Sequence, residues 1–282
     1  MNKYYLSFMG LRILLCVSHK INISEKMRIF LDKPQTSYDC TIIIQTKKEL
    51  PDRTEDGVWH GLEYYDYIDG EALTYHFNEI GGKPFAVTRF LKNGDIFIDV
   101  CSGFESYFEG STGIFNRIGV EMMLLKYGGM LLHASLIEYQ GKAIAFTGPS
   151  GIGKSTQADI WHKRLGADII NGDRAAIRKV DGEWRAYGSP FAGTSGIYKN
   201  KNAPLSAIVV LKQSKENKLV PLNAAEAFGI IYSEISIHQW DKRFVSDITD
   251  IYLDLLNAVP VYLLECLPNE DAATILKKGL LL

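Results

Sequence analysis

The stretch Gly148-Pro149-Ser150-Gly151-Ile152-Gly153-Lys154-Ser155 places three glycines, a cation and a hydroxyl within eight residues. Gly148, Gly151 and Gly153 let backbone N–H groups converge on an anion with no Cβ in the way. Lys154 adds a positive charge, and Ser155 offers a hydroxyl to Mg²⁺. The spacing Gly-x-x-x-x-Gly-Lys-Ser is that of a phosphate-binding loop. Ser150, Ile152 and Thr156 complete the candidate set for cofactor binding. Lys154 is also a catalytic candidate, because its charge would meet the transferred phosphate. A tight strand-to-helix turn is the plainer explanation of so many glycines. The context favours phosphate: the apolar run 143–147 reads as a strand, and residues 155–165 as a helix whose N-terminus attracts anions. The ligand implied is a nucleotide, ATP, with Mg²⁺.

Two common nucleotide machines do not fit. Motor and transporter ATPases need a second apolar strand ending in Asp to hold the metal, whereas the run 207–211 ends in Lys212-Gln213. A GTPase would carry Asn-Lys-x-Asp as its base reader, and Asn200-Lys201-Asn202-Ala203 lacks the Asp. A carboxylate does stand where α/β sheets place chemistry: Asp173 follows the run 167–170, at the C-terminal end of an expected strand. It can accept a proton from a hydroxyl or hold Mg²⁺, or it can cap a turn after Asn171-Gly172. Arg174 reads as a phosphate clamp or an exposed hairpin residue, and Lys199 and Lys201 as an anion-binding pair or solvated loop lysines. His238, Trp240, Lys242 and Arg243 either shape an acceptor groove or only cap a helix.

The elements that must position these groups are legible in outline. The run 6–17 reads as one strand, since Arg12 interrupts it and no cleavage site follows, so it is no signal peptide. Residues 40–46 read as a strand, and the segment 59–71, rich in tyrosine and acids, as a half-buried strand or a binding face. Asn93-Gly94 predicts a two-residue hairpin between antiparallel flanks. Ile114, Ile118, Met122 and Leu125 recur at helical spacing, predicting a helix that ends at Gly128-Gly129. Strands at 130–139 and 143–147, joined by the turn 140–142, then lead into the loop. After it come a helix, a strand at 167–171, a hairpin over 175–188, a strand at 207–211 and C-terminal helices. The expected division is a β-rich N-terminal region, 1–112, and an ATP-binding domain, 113–282.

With 46% hydrophobic and 23% charged residues and a net charge of −2, the 282-residue chain reads as an ordinary globular protein. It has no basic field to gather nucleic acid. No stretch reaches the roughly 18 to 20 apolar residues that span a bilayer. Four scattered cysteines lack metal-site spacing and point to a reducing cytoplasm.

Residues 131–177 resemble the HPr kinase/phosphorylase superfamily, whose fold is akin to the ATP-dependent phosphoenolpyruvate carboxykinases. In that family a His-small dipeptide opens a strand, a short turn leads to the phosphate loop, and a helix leads to a strand ending in acids. His133-Ala134, Gln140 to Lys142, Gly148 to Ser155 and Asp173 stand in those places in order. Residues 187–211 and 259–276 look like the HPr-kinase-related branch, which includes kinases of ribosomally made peptides such as lasso precursors. The likeness covers about residues 115 to 282.

The resemblance implies an α/β fold, a P-loop kinase domain of the HPr kinase and carboxykinase-like type preceded by the β-rich region. It also implies that His133 sits beside the transferred phosphate or orients Asp173. The family's paired acids appear here as Gly172-Asp173, and its basic, glycine-rich signature is absent, which argues against HPr itself as the acceptor. The function implied is transfer of the ATP γ-phosphate to a hydroxyl, a serine of a peptide or protein. Its rivals are a small-molecule kinase, acting for instance on free serine, and a nucleotide sensor without transfer, which the single acid at 172–173 makes tenable. No nucleic acid or membrane partner is expected, and a homo-oligomer fits the reading.

Overall fold

The computed structural model describes residues 1–109 and 113–281. The chain forms two compact units, Met1–Met123 and Leu124–Leu282. The boundary expected at 112/113 abuts Gly110–Thr112, which lie outside the described residues, as does Leu282.

The first unit holds an eight-stranded mixed sheet. Strands β1 (Asn2–Phe8) and β2 (Leu11–Val17) are followed by a single helical turn, α1 (Glu25–Arg28). Then come β3 (Cys40–Lys47), β4 (Val58–His60), β5 (Glu63–Ile68), β6 (Glu71–Phe77), β7 (Pro84–Phe90) and β8 (Ile96–Cys101). The spatial order is β1-β2-β3-β8-β7-β6-β5-β4. The run read as one strand over 6–17 is a hairpin: Met9 and Gly10 both take positive φ, which turns the chain back on itself. The segment 59–71 is likewise two strands and the start of a third, with β4 exposed at the sheet edge. The Asn93-Gly94 flanks pair antiparallel as expected. The loop is longer than two residues, however. Leu91 N–H donates to Asp95 O, and of Asn93 and Gly94 only Gly94 takes positive φ.

The helix expected from Ile114 onward is shorter than its periodicity suggests. Helix α2 spans Val120–Lys126. Gly119 stands at φ +56°, where a Cβ would fall 2.3 Å from the Phe90 ring, so regular helix begins after it. Val120, Met123 and Leu124 are buried on it, whereas Met122 and Leu125 are only half-buried.

In the second unit β9 (Gly129–Tyr139) turns through Gln140-Gly141 into β10 (Lys142–Thr147), and α3 (Lys154–Leu165) follows the glycine loop. Next are β11 (Asp168–Asn171), β12 (Arg174–Val180), β13 (Glu183–Tyr187), β14 (Asn202–Gln213) and β15 (Lys218–Leu222). Helices α4 (Ala224–Tyr232) and α5 (Lys242–Ala258), strand β16 (Val261–Cys266) and α6 (Glu270–Gly279) complete it. Strand β10 pairs antiparallel with β9 and parallel with β14, and β14 pairs parallel with β16. Because β9, β12, β13 and β14 also join edge to edge, the pairing closes through β10. Trp161 anchors α3 on this sheet: it is fully buried, 5.4 Å from the Tyr139 ring and 6.3 Å from Phe146. Among the described residues no helix is long and apolar enough to cross a membrane.

Candidate active site

The glycine loop is a sharp exit from β10 into α3. Gly148, Gly151 and Gly153 take φ of 133°, 77° and 116°, a region that L side chains rarely enter. Beyond the chain neighbours, no atom lies within 4 Å of where a Cβ would stand at Gly151 or Gly153, so the space beside both residues is open. Gly153 is the N-cap of α3, and the first-turn amides beyond it have no intrahelical acceptor. Ser155 and Thr156 are exposed on this turn, as is Ser150 in the loop; Ile152 is half-buried, and its N–H closes the loop onto Pro149 O at 3.2 Å. Lys154 is 8% exposed and donates to Gly148 O at 2.7 Å and Pro149 O at 3.1 Å. Burial pushes its ammonium below the ordinary lysine pKa, against the pull of the nearby Glu234 and Asp173 carboxylates. An ammonium in that position gains from a further anion.

Beside the loop stands β9. Its His133-Ala134 step lies where β10 ends, with Ala134 opposite Thr147 and the Thr147 hydroxyl donating to His133 O. On the other edge of β9 the chain crosses from β11 to β12, and Ala134 N–H donates to Asp173 O at 2.8 Å. Asn171 caps this turn: its Oδ1 accepts from Asp173 N–H and Arg174 N–H, while its amide group donates to Ser189 O. Turn capping is therefore done by Asn171, which leaves the Asp173 carboxylate for other partners. Asp173 Oδ1 lies 3.5 Å from His133 Nε2, and Asp173 Oδ2 lies 3.8 Å from Arg174 Nε. Arg174 also donates to Ser236 Oγ.

One further residue of this cluster carries no motif signal. Where β10 leaves the edge of β9, residues 234–236 take over the pairing: His133 N–H donates to Glu234 O and Ser236 N–H to Leu131 O. The Glu234 side chain, 10% exposed, then places Oε2 2.9 Å from His133 Nδ1. His133 thus lies between two carboxylates from opposite edges of one strand. A neutral imidazole has one N–H to give, and a protonated one has two. The array can receive a proton at His133 and hold the resulting charge.

Gly172 gains its reason here. A Cβ on it would fall 1.8 Å from Ser195 Oγ, so the loop after β13 fills the place where a second side chain would stand. The remaining candidates lie elsewhere. Lys199 and Lys201 both pair with Asp168, at the far end of β11 from Asp173. Burial would raise the Asp168 pKa, but the two lysines together hold it below the ordinary value. Asp241 accepts from Arg243 N–H and Phe244 N–H as the N-cap of α5, so the segment 238–243 starts a helix. Lys212 pairs with Glu265. Among the described residues no group of three or more His, Cys, Asp or Glu could hold a metal ion.

Residues 118–267 match the family model described as SynChlorMet cassette protein ScmC, just over half of the chain. The chain belongs to the ScmC family. The matched span contains the glycine loop, His133, Asp173 and Glu234. No curated protein matches the chain. Among solved structures, the HPr(Ser) kinase/phosphatase from Coxiella burnetii aligns with 54% of this chain and 96% of its own at 12% identity, with a TM-score of 0.34.

Proposed function

We propose that this ScmC-family protein is an ATP- and Mg²⁺-dependent kinase that transfers the γ-phosphate to a hydroxyl, a serine of a peptide or protein. The observation that carries the reading is the meeting of two devices at one place. An open glycine turn at a helix N-terminus abuts a strand on which His133 is held between Asp173 and Glu234. The first device suits phosphates, and the second suits a proton leaving an alcohol. A sensor has no need of the second. The carboxylate missing at Gly172 was the main support for a sensor, and Glu234 supplies a second acid from another element.

In the transfer, an acceptor oxygen forms a bond to the γ-phosphorus as the bond to the β–γ bridging oxygen breaks and ADP leaves. The hydroxyl proton passes through Asp173 to His133 Nε2, which Asp173 Oδ1 faces at 3.5 Å, and Glu234 at Nδ1 balances the charge on the protonated ring. Loop amides and Lys154 hold the phosphate oxygens. The Ser155 hydroxyl and Asp173 are the groups that would hold Mg²⁺, a pairing in line with that ion's habit of using one or two protein ligands plus substrate phosphates. When bound, the ion neutralises charge on the phosphates. The peptide acceptor rests on the resemblance of residues 187–211 and 259–276 to the HPr-kinase-related branch, which includes kinases of ribosomally made peptides; the family description, which names a cassette, is compatible with it.

Single-turnover transfer from labelled ATP, run beside calorimetric ATP binding, tests this. Asp173→Asn keeps the shape of the side chain but not its charge, so transfer falls by about 10² to 10⁴-fold, the usual worth of a general base, while ATP still binds. Lys154→Ala loses the binding itself. Equal transfer by Asp173→Asn and the parent protein would remove Asp173 from the chemistry.

A further inference from the structure

On the side of the glycine loop away from His133 lies a cleft of about 450 Å³. Its floor is formed where the parallel strands β14 and β16 end, with Leu211 and Cys266 contributing and Gln213 at its exposed rim, and its wall is the first turns of α3. Pro268 and Ser214 close the rim. Ligands of α/β sheets bind outside the carboxyl ends of parallel strands, and the volume falls in the usual range for a small-molecule site, ~300–1,000 Å³.

Three features specify what fits. The cleft is continuous with the phosphate turn, since Gly151, Ile152 and Gly153 line it too. No charged side chain lines it, and burial raises the pKa of the Cys266 thiol, so the wall stays neutral. It also contains an unsatisfied acceptor. Gln157 is 2% exposed, its amide nitrogen reaches Cys266 Sγ at 3.5 Å, and its Oε1 is buried with no hydrogen-bond partner. A buried carbonyl left unpaired is costly, and a ligand N–H would offset that cost.

The strand order gives direction. Across the sheet run β9, β10, β14 and β16, three spacings or ~14 Å in all. The carboxylates stand at the β9 side, the phosphate turn leaves β10, and the cleft opens at β14 and β16. A nucleotide lying along that line puts its terminal phosphate toward Asp173 and its base in the cleft. We propose that the cleft receives the base of the nucleotide and that Gln157 reads it as adenine, through the exocyclic amine. This rests on the nucleotide-binding reading above. Hypoxanthine and guanine present a carbonyl oxygen at the same ring position, which would face Oε1 with a second acceptor; glutamine pairs with adenine in nucleic-acid readers for this reason.

Calorimetric titration of the full chain with Mg²⁺ and each of ATP, ITP and inorganic tripolyphosphate tests it. The parent protein binds ATP at least tenfold tighter than ITP or tripolyphosphate. Gln157→Met, close in volume, brings ATP to the level of ITP without moving tripolyphosphate. Gln213→Trp, built from the exposed rim, fills the cleft and weakens ATP at least tenfold, again without moving tripolyphosphate. That variant serves if Gln157→Met does not fold. Should tripolyphosphate bind while ATP gains nothing over it, the cleft proposal falls and the phosphate loop stands. Equal affinity for ATP and ITP overturns the adenine reading. If neither ATP nor tripolyphosphate binds, the underlying nucleotide reading fails and takes the proposal with it.

Discussion

Glu234 shows how a side chain without a motif can complete a chemical group. His133 Nδ1 faces it at 2.9 Å, and the other ring nitrogen faces Asp173 at 3.5 Å. Replacing Glu234 by Gln leaves an acceptor for the imidazole N–H, so the ring keeps its orientation, but the partner for a positively charged ring is gone. Hydrogen bonds to charged groups contribute about 1.5–3 kcal/mol against ~0.5–1.5 for neutral ones. A difference near 1.4 kcal/mol is about tenfold in rate. Glu234→Gln is expected to lower kcat by that order, with KM for ATP and the melting temperature near those of the parent protein. An unchanged kcat, or a change confined to KM, would make Glu234 a purely structural contact. The sequence pointed to Asp173 because it ends an apolar run, and to His133 through the resemblance of residues 131–177 to the HPr kinase/phosphorylase superfamily. Glu234 stands in Tyr-Ser-Glu-Ile-Ser, which carries no motif; its placement follows from an isolated pairing with β9, 101 residues away.

At the scale of elements, the loop between β13 and β14 shapes the site as much as the strands do. Its short helical turn at Gly193–Ser195 packs on the β11–β12 crossing: Ser195 Oγ stands where a Gly172 Cβ would be, and a Cβ on Gly193 would meet the Asp173 carboxyl at 2.8 Å. Gly172→Ala is expected to cost ~1–3 kcal/mol, the range for overpacking. Ser195→Gly on its own loses the bond to Ala192 O and the acceptor for Ile197 N–H, about 1 kcal/mol. The double variant should be more stable than the sum of the two by ~1–2 kcal/mol, because removing Ser195 Oγ opens room for the methyl group. Strict additivity in urea unfolding would show that the loop moves aside freely. This packing could not be read from the sequence, where 188–201 has no periodicity and mixes small and polar residues with Phe191, Ile197 and Tyr198. Strands and turns were legible where local chemistry decides them, as in the antiparallel flanks of Asn93-Gly94, though not its loop length, and in the step from β10 to α3. They were misread where a single backbone angle overrides a pattern, as Met9-Gly10 does in the run 6–17 and Gly119 does before α2.

At the scale of the whole molecule, each unit has a core of its own. In the first, Phe8, Phe30 and Phe115 meet edge to face with centroids 5.4–5.7 Å apart. In the second, Trp161 and Phe146 lie in a cluster that reaches from α3 to α6. A separate core is what allows a unit to unfold as its own cooperative body. All the residues assigned to nucleotide here belong to the second unit. A ligand that binds only the folded form stabilises by RT ln(1 + [L]/Kd), ~2.7 kcal/mol at a hundredfold excess over Kd, which slows exchange through global opening by about 100-fold. Amide hydrogen exchange with and without ATP and Mg²⁺ should therefore show that slowing in the most protected amides of β9, β10 and β14. The core amides of β3 and β8, in the first unit, should keep their rates. Lys154→Ala should abolish the effect in the second unit. Slowing of equal size in both units would mean that the two cores open together, so that the chain behaves as one cooperative body despite its two centres of packing.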